Sequence, residues 1–294
     1  MKDTLRDSSA PRWEILGTIA PTALVPSRET VHHAAQLLAL AGASYLPALP
    51  DDSHTSMTWL ASSGALVTQP LSAATSLRFS LRVSDLTLIA LGDDTGPSAA
   101  FPLDRRTRDD ALEWMRSEAR RHSLDADRLQ SRLHYTIAPH PTDHGHPFER
   151  ATDGTLDELA GWYANATVVL EERRRSTVGA GPVRCWPHHF DIATLVELPA
   201  GGTLKTIGVG LSPGDENWPE PYYYVSPYPA PSAVPGPLSV GRWHTTGWYG
   251  AALVGSEIVR EPAAAEQRAL VSAFIEESIA RLLESVAPQS LDGR

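Results

Sequence analysis

Between Leu77 and Val83 the chain alternates strictly: Leu77, Phe79, Leu81 and Val83 are apolar, and Arg78, Ser80 and Arg82 between them are polar. A period of two puts the first set on one face of an extended strand and the second set on the other, so one face is buried and one is wet. This requirement constrains the fold more than any other feature of the sequence. One-sided strands belong to antiparallel sheets covered on a single face, whereas parallel strands are covered on both and read as continuous apolar runs. Runs at residues 57–60, 66–71 and 86–91 read as partner strands, with Ser84-Asp85 as a hairpin turn.

Helical patterns bracket these strands. Ser27 is placed to cap a helix to about Ala41, with Val31, Ala34, Ala35 and Leu38 at helical spacing and Gly42 ending it. Thr107 and Asp110 form a capping-box pattern that opens a second helix to about His122. A third begins near Thr155, with Glu158 at capping-box spacing and Leu156, Leu159, Tyr163, Ala166 and Leu170 repeating at three and four residues. Strands follow at residues 184–198, 203–211, 222–225 and 243–254, and residues 263–286 read as a long amphipathic helix. The order helix, strands, helix thus occurs twice, with no residue-level repeat. The expected fold is α+β, an antiparallel β-sheet with packed helices, built from two similar helix-strands-helix halves. These halves are residues 27–135 and 154–287. Residues 136–153 are expected to be a flexible linker, residues 1–26 a loose N-terminal segment and residues 288–294 a tail.

Charge and cysteine content narrow the function. The 25 basic side chains are outnumbered by 35 acidic ones, giving a formal net charge of -10. The main basic run, Arg173-Arg174-Arg175, is too short a footprint for phosphate backbones, so no nucleic-acid partner is expected. The single cysteine, Cys185, allows neither an intrachain disulfide nor a cysteine zinc cluster and suits a reducing compartment. Residues 1–12 are polar and lack a signal-peptide core, and no run approaches the ~18 apolar residues of a membrane span. A cytoplasmic protein without a membrane partner is expected. Neither a GxGxxG nor a P-loop pattern occurs, so no nucleotide cofactor is expected. The oligomeric state is left open.

The chemistry-bearing residues concentrate in the second half. Eight aromatic residues, including Trp218, Tyr222, Tyr224 and Trp243, fall between positions 216 and 249 among many prolines. Aromatic faces on a stiffened backbone suit a pocket wall, and equally suit padding for a β-rich core. Upstream lies Trp186-Pro187-His188-His189-Phe190-Asp191. If extended, it sets Trp186, His188 and Phe190 on one face and His189 and Asp191 together on the other. Such a pair can ligate a metal, or the aspartate can orient a histidine base. A strand-end hydrogen bond is the simpler role. Asp215, in Pro213-Gly214-Asp215, reads first as a turn aspartate. Glu216 and Glu220 can complete an oxygen-rich cation site or bind sugar-like hydroxyls. Gly208 and Gly210 leave one face of their strand bare, as happens where another group approaches closely. His140, His144 and His146 read as part of the linker, and Cys185 as a buried small hydrophobe.

The motifs Trp186 to Asp191 (aromatic-x-His-x-Phe-Asp), Pro213-Gly214-Asp215-Glu216, Glu220-Pro221-x-Tyr-x-Tyr and Tyr228-Pro229 resemble those of a bacterial domain family of unknown function. The resemblance covers most of the chain. It extends loosely to the arginine-bearing strand at 77–83 and to Pro147-Phe148-Glu149 before the central helix. Pro187 and His189 depart from it, standing where it leads to an aromatic and a small residue, so His188 and His189 both stay candidates. It implies where a site lies and no activity. Two functions are carried forward. The first is the binding of a small polar ligand in a cleft lined by Trp186, His188, His189, Asp191, Asp215, Glu216, Glu220, Tyr222, Tyr224 and Trp243. The second is a hydrolase whose divalent metal is held by His189, Asp191 and Glu216.

Overall fold

The one-sided strands pair as their pattern requires. The computed structural model describes residues 12–286 apart from Ala74, residues 93–96 and residues 200–201. Its first half contributes β1 (Met57–Leu60), β2 (Ala65–Thr68), β3 (Arg78–Arg82), β4 (Thr87–Leu91) and β5 (Pro97–Pro102). Its second half contributes β6 (Arg184–Trp186), β7 (Asp191–Glu197), β8 (Thr206–Ser212), β9 (Tyr222–Tyr228), β10 (Arg242–His244) and β11 (Gly250–Val254). All eleven form one sheet in the order β10-β11-β9-β8-β7-β6-β1-β2-β3-β4-β5, and every neighbouring pair is antiparallel. The fold is α+β, as the alternation predicts.

Outward from the β1–β6 pair, which is joined at Met57 and Cys185, each half runs as a four-strand meander, β1 to β4 and β6 to β9, followed by β5 in the first half and by β11 and then β10 in the second. A helix precedes each meander and packs on its second and third strands: α1 (Val25–Tyr45) on β2 and β3, α3 (Thr155–Ser176) on β7 and β8. A helix also follows each, α2 (Arg108–Arg121) and, after the short α4 (Gly255–Ile258), α5 (Ala264–Val286). Across the sheet the helix-facing rows match. Met57, Thr68, Phe79 and Ala90 in the first half stand where Cys185, Ile192, Leu211 and Tyr223 stand in the second. Nearly all of these side chains are fully buried, which makes one continuous core beneath both halves.

Several local expectations change. Gly42 lies inside α1, where a Cβ would stand 2.5 Å from the carbonyl oxygen of His54, so it serves close approach rather than termination. Thr155 is the first residue of α3, not its cap. Glu158 accepts instead from the backbone amides of Gly17 (2.6 Å) and Ile19 (3.3 Å). Those bonds, with buried Trp13 and Leu16, dock residues 12–20 onto α3 and α5, so this part of the expected loose segment is ordered. Residues 1–11 and 288–294 lie outside the described residues. The expected flexible linker contains a 3-10 turn, Pro141–His144, with a His140/Asp143 capping box, and Phe148 is bridged to Asp104. Among the described residues no helix is long and apolar enough to cross a membrane.

Candidate functional site

The segment read as one strand from residue 184 to residue 198 is a tight hairpin. Residues 187–190 form its turn, closed by the Phe190 amide donating to the Trp186 carbonyl at 2.7 Å. The alternation inferred across His188, His189 and Phe190 therefore fails, because a turn does not carry the two-residue period. Phe190 has φ 59°, a left-handed conformation that is costly for an aromatic residue. Its surroundings hold it there. The ring stacks on His32 at 4.9 Å, and its carbonyl accepts from the Tyr163 hydroxyl at 2.5 Å. The Pro187 carbonyl accepts from Gln36 at 2.9 Å and lies 2.8 Å from His32 Nε2. Burial lowers the His32 pKa from 6.5 to about 4, against the raising effect of the Pro187 bond, so this ring is neutral and donates from Nε2.

The turn delivers Asp191 to the start of β7, directly opposite Trp186, on the face of the sheet away from the helices. The cross-strand registers put Ala193, Gly210, Ser212, Tyr222, Tyr224 and Ala252 on that same face. Gly210 then decides the geometry. A Cβ there would stand 2.6 Å from the Tyr224 hydroxyl, 2.7 Å from its Cζ and 2.8 Å from the Ala193 Cβ. The bare glycine is a trough in which the Tyr224 ring lies across β8, and the hydroxyl at its far end donates to Asp191 Oδ2. Burial pushes the Asp191 carboxyl above its usual range, against the lowering effects of the Tyr224 bond and of His189. Tyr224 is driven well upward by burial and by the neighbouring carboxylate.

An aromatic cluster flanks the pair. Tyr222 lies 4.9 Å from Trp218 and 6.3 Å from Trp248, and His244 lies 4.9 Å and 4.8 Å from the same two indoles. Tyr222, Trp218 and Trp248, with Tyr224, Ala252 and Val254, make a second small apolar cluster on the open face, so the wall is partly its own core. Asp215 is the turn aspartate its motif predicts, accepting from the amides of Asn217 (2.7 Å) and Trp218 (3.3 Å). Its other oxygen accepts from the Tyr222 hydroxyl at 2.6 Å.

The remaining expected site residues are placed otherwise. Glu220 is buried and committed to Ser256 of α4, accepting from its amide (2.5 Å) and hydroxyl (3.0 Å), so it is a helix-end partner and not a wall of the cleft. Trp243 pairs with Ala251 in register, which turns it to the helix face, away from Tyr224. Its indole donates to the Gly236 carbonyl. Glu216 is exposed in the loop after β8. His188 is half-buried between Trp186 and Tyr135, while His189 is exposed at the tip. Among the described residues no three His, Cys, Asp or Glu side chains are arranged to hold an ion, so His189, Asp191 and Glu216 do not converge as the hydrolase reading needs. The register does bring β7 and β8 together as expected, Ile192 opposite Leu211, although Gly201 of the expected turn lies outside the described residues.

Trp248 is one of the eight aromatics whose clustering suits a wall, whereas His244 beside it carries no such signal; both fall in the single strand expected at 243–254, where Gly247 (φ 82°) is the available turn signal. Two cavities lie away from this face. One, of about 610 Å³, is lined by His140, His144, His146 and Glu149, and the other, of about 530 Å³, lies among Val178, Val196, Ile279 and Leu283. No protein-family model matches the chain, and neither a curated protein nor a solved structure is found to be similar to it.

Proposed function

We propose that the protein binds a small polar ligand on the open face of the second half, at the Asp191–Tyr224 pair, between Trp186 with His188 on one side and the Trp218–Trp248 cluster on the other. The observation that carries this reading is Asp191 itself. In the first half, the row equivalent by register is Thr58, Val67, Ser80, Ile89 and Ala100; in the second it is Trp186, Asp191, Ser212, Tyr222 and Val254. Val67, in the place of Asp191, is an ordinary buried apolar residue. The architecture therefore has no need of a carboxyl there, and this one sits where its ionised form is disfavoured. A group held against folding preference is characteristic of a site. Aromatic faces, a carboxyl and a tyrosine hydroxyl together suit a ligand with both hydroxyl or amine groups and an apolar edge.

The test is a thermal-shift screen of sugars, polyols, amino acids and small carboxylic acids against the wild-type chain, with hits repeated on Asp191→Asn and Tyr224→Phe. The reading expects at least one compound to raise the wild-type melting temperature and to lose that effect in Asp191→Asn. A screen without hits, or hits indifferent to both substitutions, overturns it.

A further inference from the structure

Around the loop of residues 213–221 the polar groups do not balance. Its acceptors are largely committed: Asp215 to two amides and Tyr222, Glu220 to Ser256. Its flanks hold polar groups that have no partner among the described residues. On the helix side, Arg28 of α1 is largely buried, with its side chain 14% exposed, and its Nη1 atom is buried with no hydrogen-bond partner among the described residues. That atom packs against Gly214, where a Cβ would stand 2.7 Å from it; Gly214 has φ 110°, so only glycine fits both the turn and the guanidinium. The carboxylate paired with Arg28 is that of the adjacent Glu29, half in solvent, through Nη2 at 3.1 Å. On the open side, the Trp248 Nε1 donor and the His244 Nε2 atom are likewise buried with no partner among the described residues. A buried guanidinium whose inner nitrogen meets no acceptor is expensive, and native proteins satisfy such groups with a counter-ion.

We infer that this loop holds an oxyanion, a carboxylate or phosphate group, bound by Arg28 beneath Gly214. This goes beyond the reading of the Asp191 face, because Arg28 lies on the helix side of the same end of the sheet and needs no contribution from Asp191. Nη1 meets one oxygen of such a group, and the planar fork takes a second once Nη2 leaves the half-exposed Glu29 for it. Trp218 within the loop, and Trp248 with its ring 6.3 Å from that of Trp218, report on its occupancy through their fluorescence.

The probes are inorganic phosphate and acetate, each titrated into the full chain against sodium chloride at matched ionic strength and neutral pH, reading melting temperature and tryptophan emission. At least one gives a saturable rise in melting temperature with a matching change in emission, and which one tells a phosphate from a carboxylate. Arg28→Gln weakens that response about tenfold or more and, without anion, is at least as stable as the wild type. Should Arg28→Gln fail to fold, Arg28→Lys carries the test: keeping the charge without the fork, it weakens the response without abolishing folding. Asp191→Asn leaves the response unchanged, which separates the fate of this inference from that of the Asp191 site. Responses no larger than those to chloride, or a response retained in Arg28→Gln or at full strength in Arg28→Lys, overturn it.

Discussion

Gly208 and Gly210 lie two residues apart on one strand and face the same way, yet alanine at the two positions is expected to act with opposite sign. At either position alanine removes the conformational freedom of glycine in the unfolded chain and so favours folding by roughly 0.5–1 kcal/mol. At Gly208 nothing opposes this gain, since a Cβ meets the Ser226 carbonyl oxygen at 3.7 Å and Tyr224 at 4.0 Å, both ordinary contacts. At Gly210 the same methyl collides with Tyr224 Oη at 2.6 Å and with the Ala193 Cβ at 2.8 Å. The ring must leave its trough by most of an ångström, which adds roughly 1–3 kcal/mol of overpacking. The bond to Asp191 goes with it, and leaving a buried polar group without its partner costs about 1–3 kcal/mol. The net expectation for Gly210→Ala is a loss of about 2 kcal/mol or more, against a gain of about half a kcal/mol for Gly208→Ala. Urea unfolding followed by tryptophan fluorescence reads both. Making the same change at Gly210 in a Tyr224→Ala background recovers part of the loss, the collision with Ala193 remaining. Equal effects at the two glycines, or no recovery, would refute the trough.

Glu220→Ala is expected to cost about 1–2 kcal/mol of stability in urea unfolding, the loss of a helix-end acceptor, without altering the anion response; loss of that response at undiminished stability would return Glu220 to the site. His32 is buried neutral with its pKa lowered from 6.5 to about 4, so the stability it contributes is present above 6.5 and lost as pH falls through about 4. That amounts to up to about 3 kcal/mol. His32→Gln should flatten the wild-type decline over that window, and an unchanged slope would show that other groups cause it.

The strand pattern was legible because it is local chemistry: Met57–Leu60 and the Thr107/Asp110 capping box stand where alternation and spacing put them. What escaped is what depends on distant partners. β5 is hard to read from Pro97-Ser98-Ala99-Ala100-Phe101-Pro102, since small residues and flanking prolines carry little strand signal, and pairing with β4 decides it. The turn at residues 187–190 was hidden because Phe190 takes a left-handed conformation with neither glycine nor asparagine to announce it. Contacts from α1 and α3 supply the compensation. In the site, Asp191, Tyr224 and the bare glycine were legible as types. That Glu220 belongs to α4 and that Arg28 reaches Gly214 follows only from elements far apart in the chain.

Asp191 is kept either in spite of folding or because of it, and the stability of Asp191→Asn measured against pH separates the two. Burial raises the carboxyl's pKa, so the stability linked to it is present at pH below the unfolded value and is lost as pH rises through the folded value. As pH rises above the unfolded value the carboxyl then burdens the fold, because the unfolded chain ionises it more readily than the folded one. An amide of the same shape still accepts from Tyr224 and carries no charge. Asp191→Asn is therefore predicted to be as stable as the wild type in acid and increasingly the more stable of the two as pH rises to neutral. A variant that instead loses more than about 2 kcal/mol at neutral pH, with its pH slope unchanged, would show the carboxylate to be a structural partner of Tyr224 and would contradict the account.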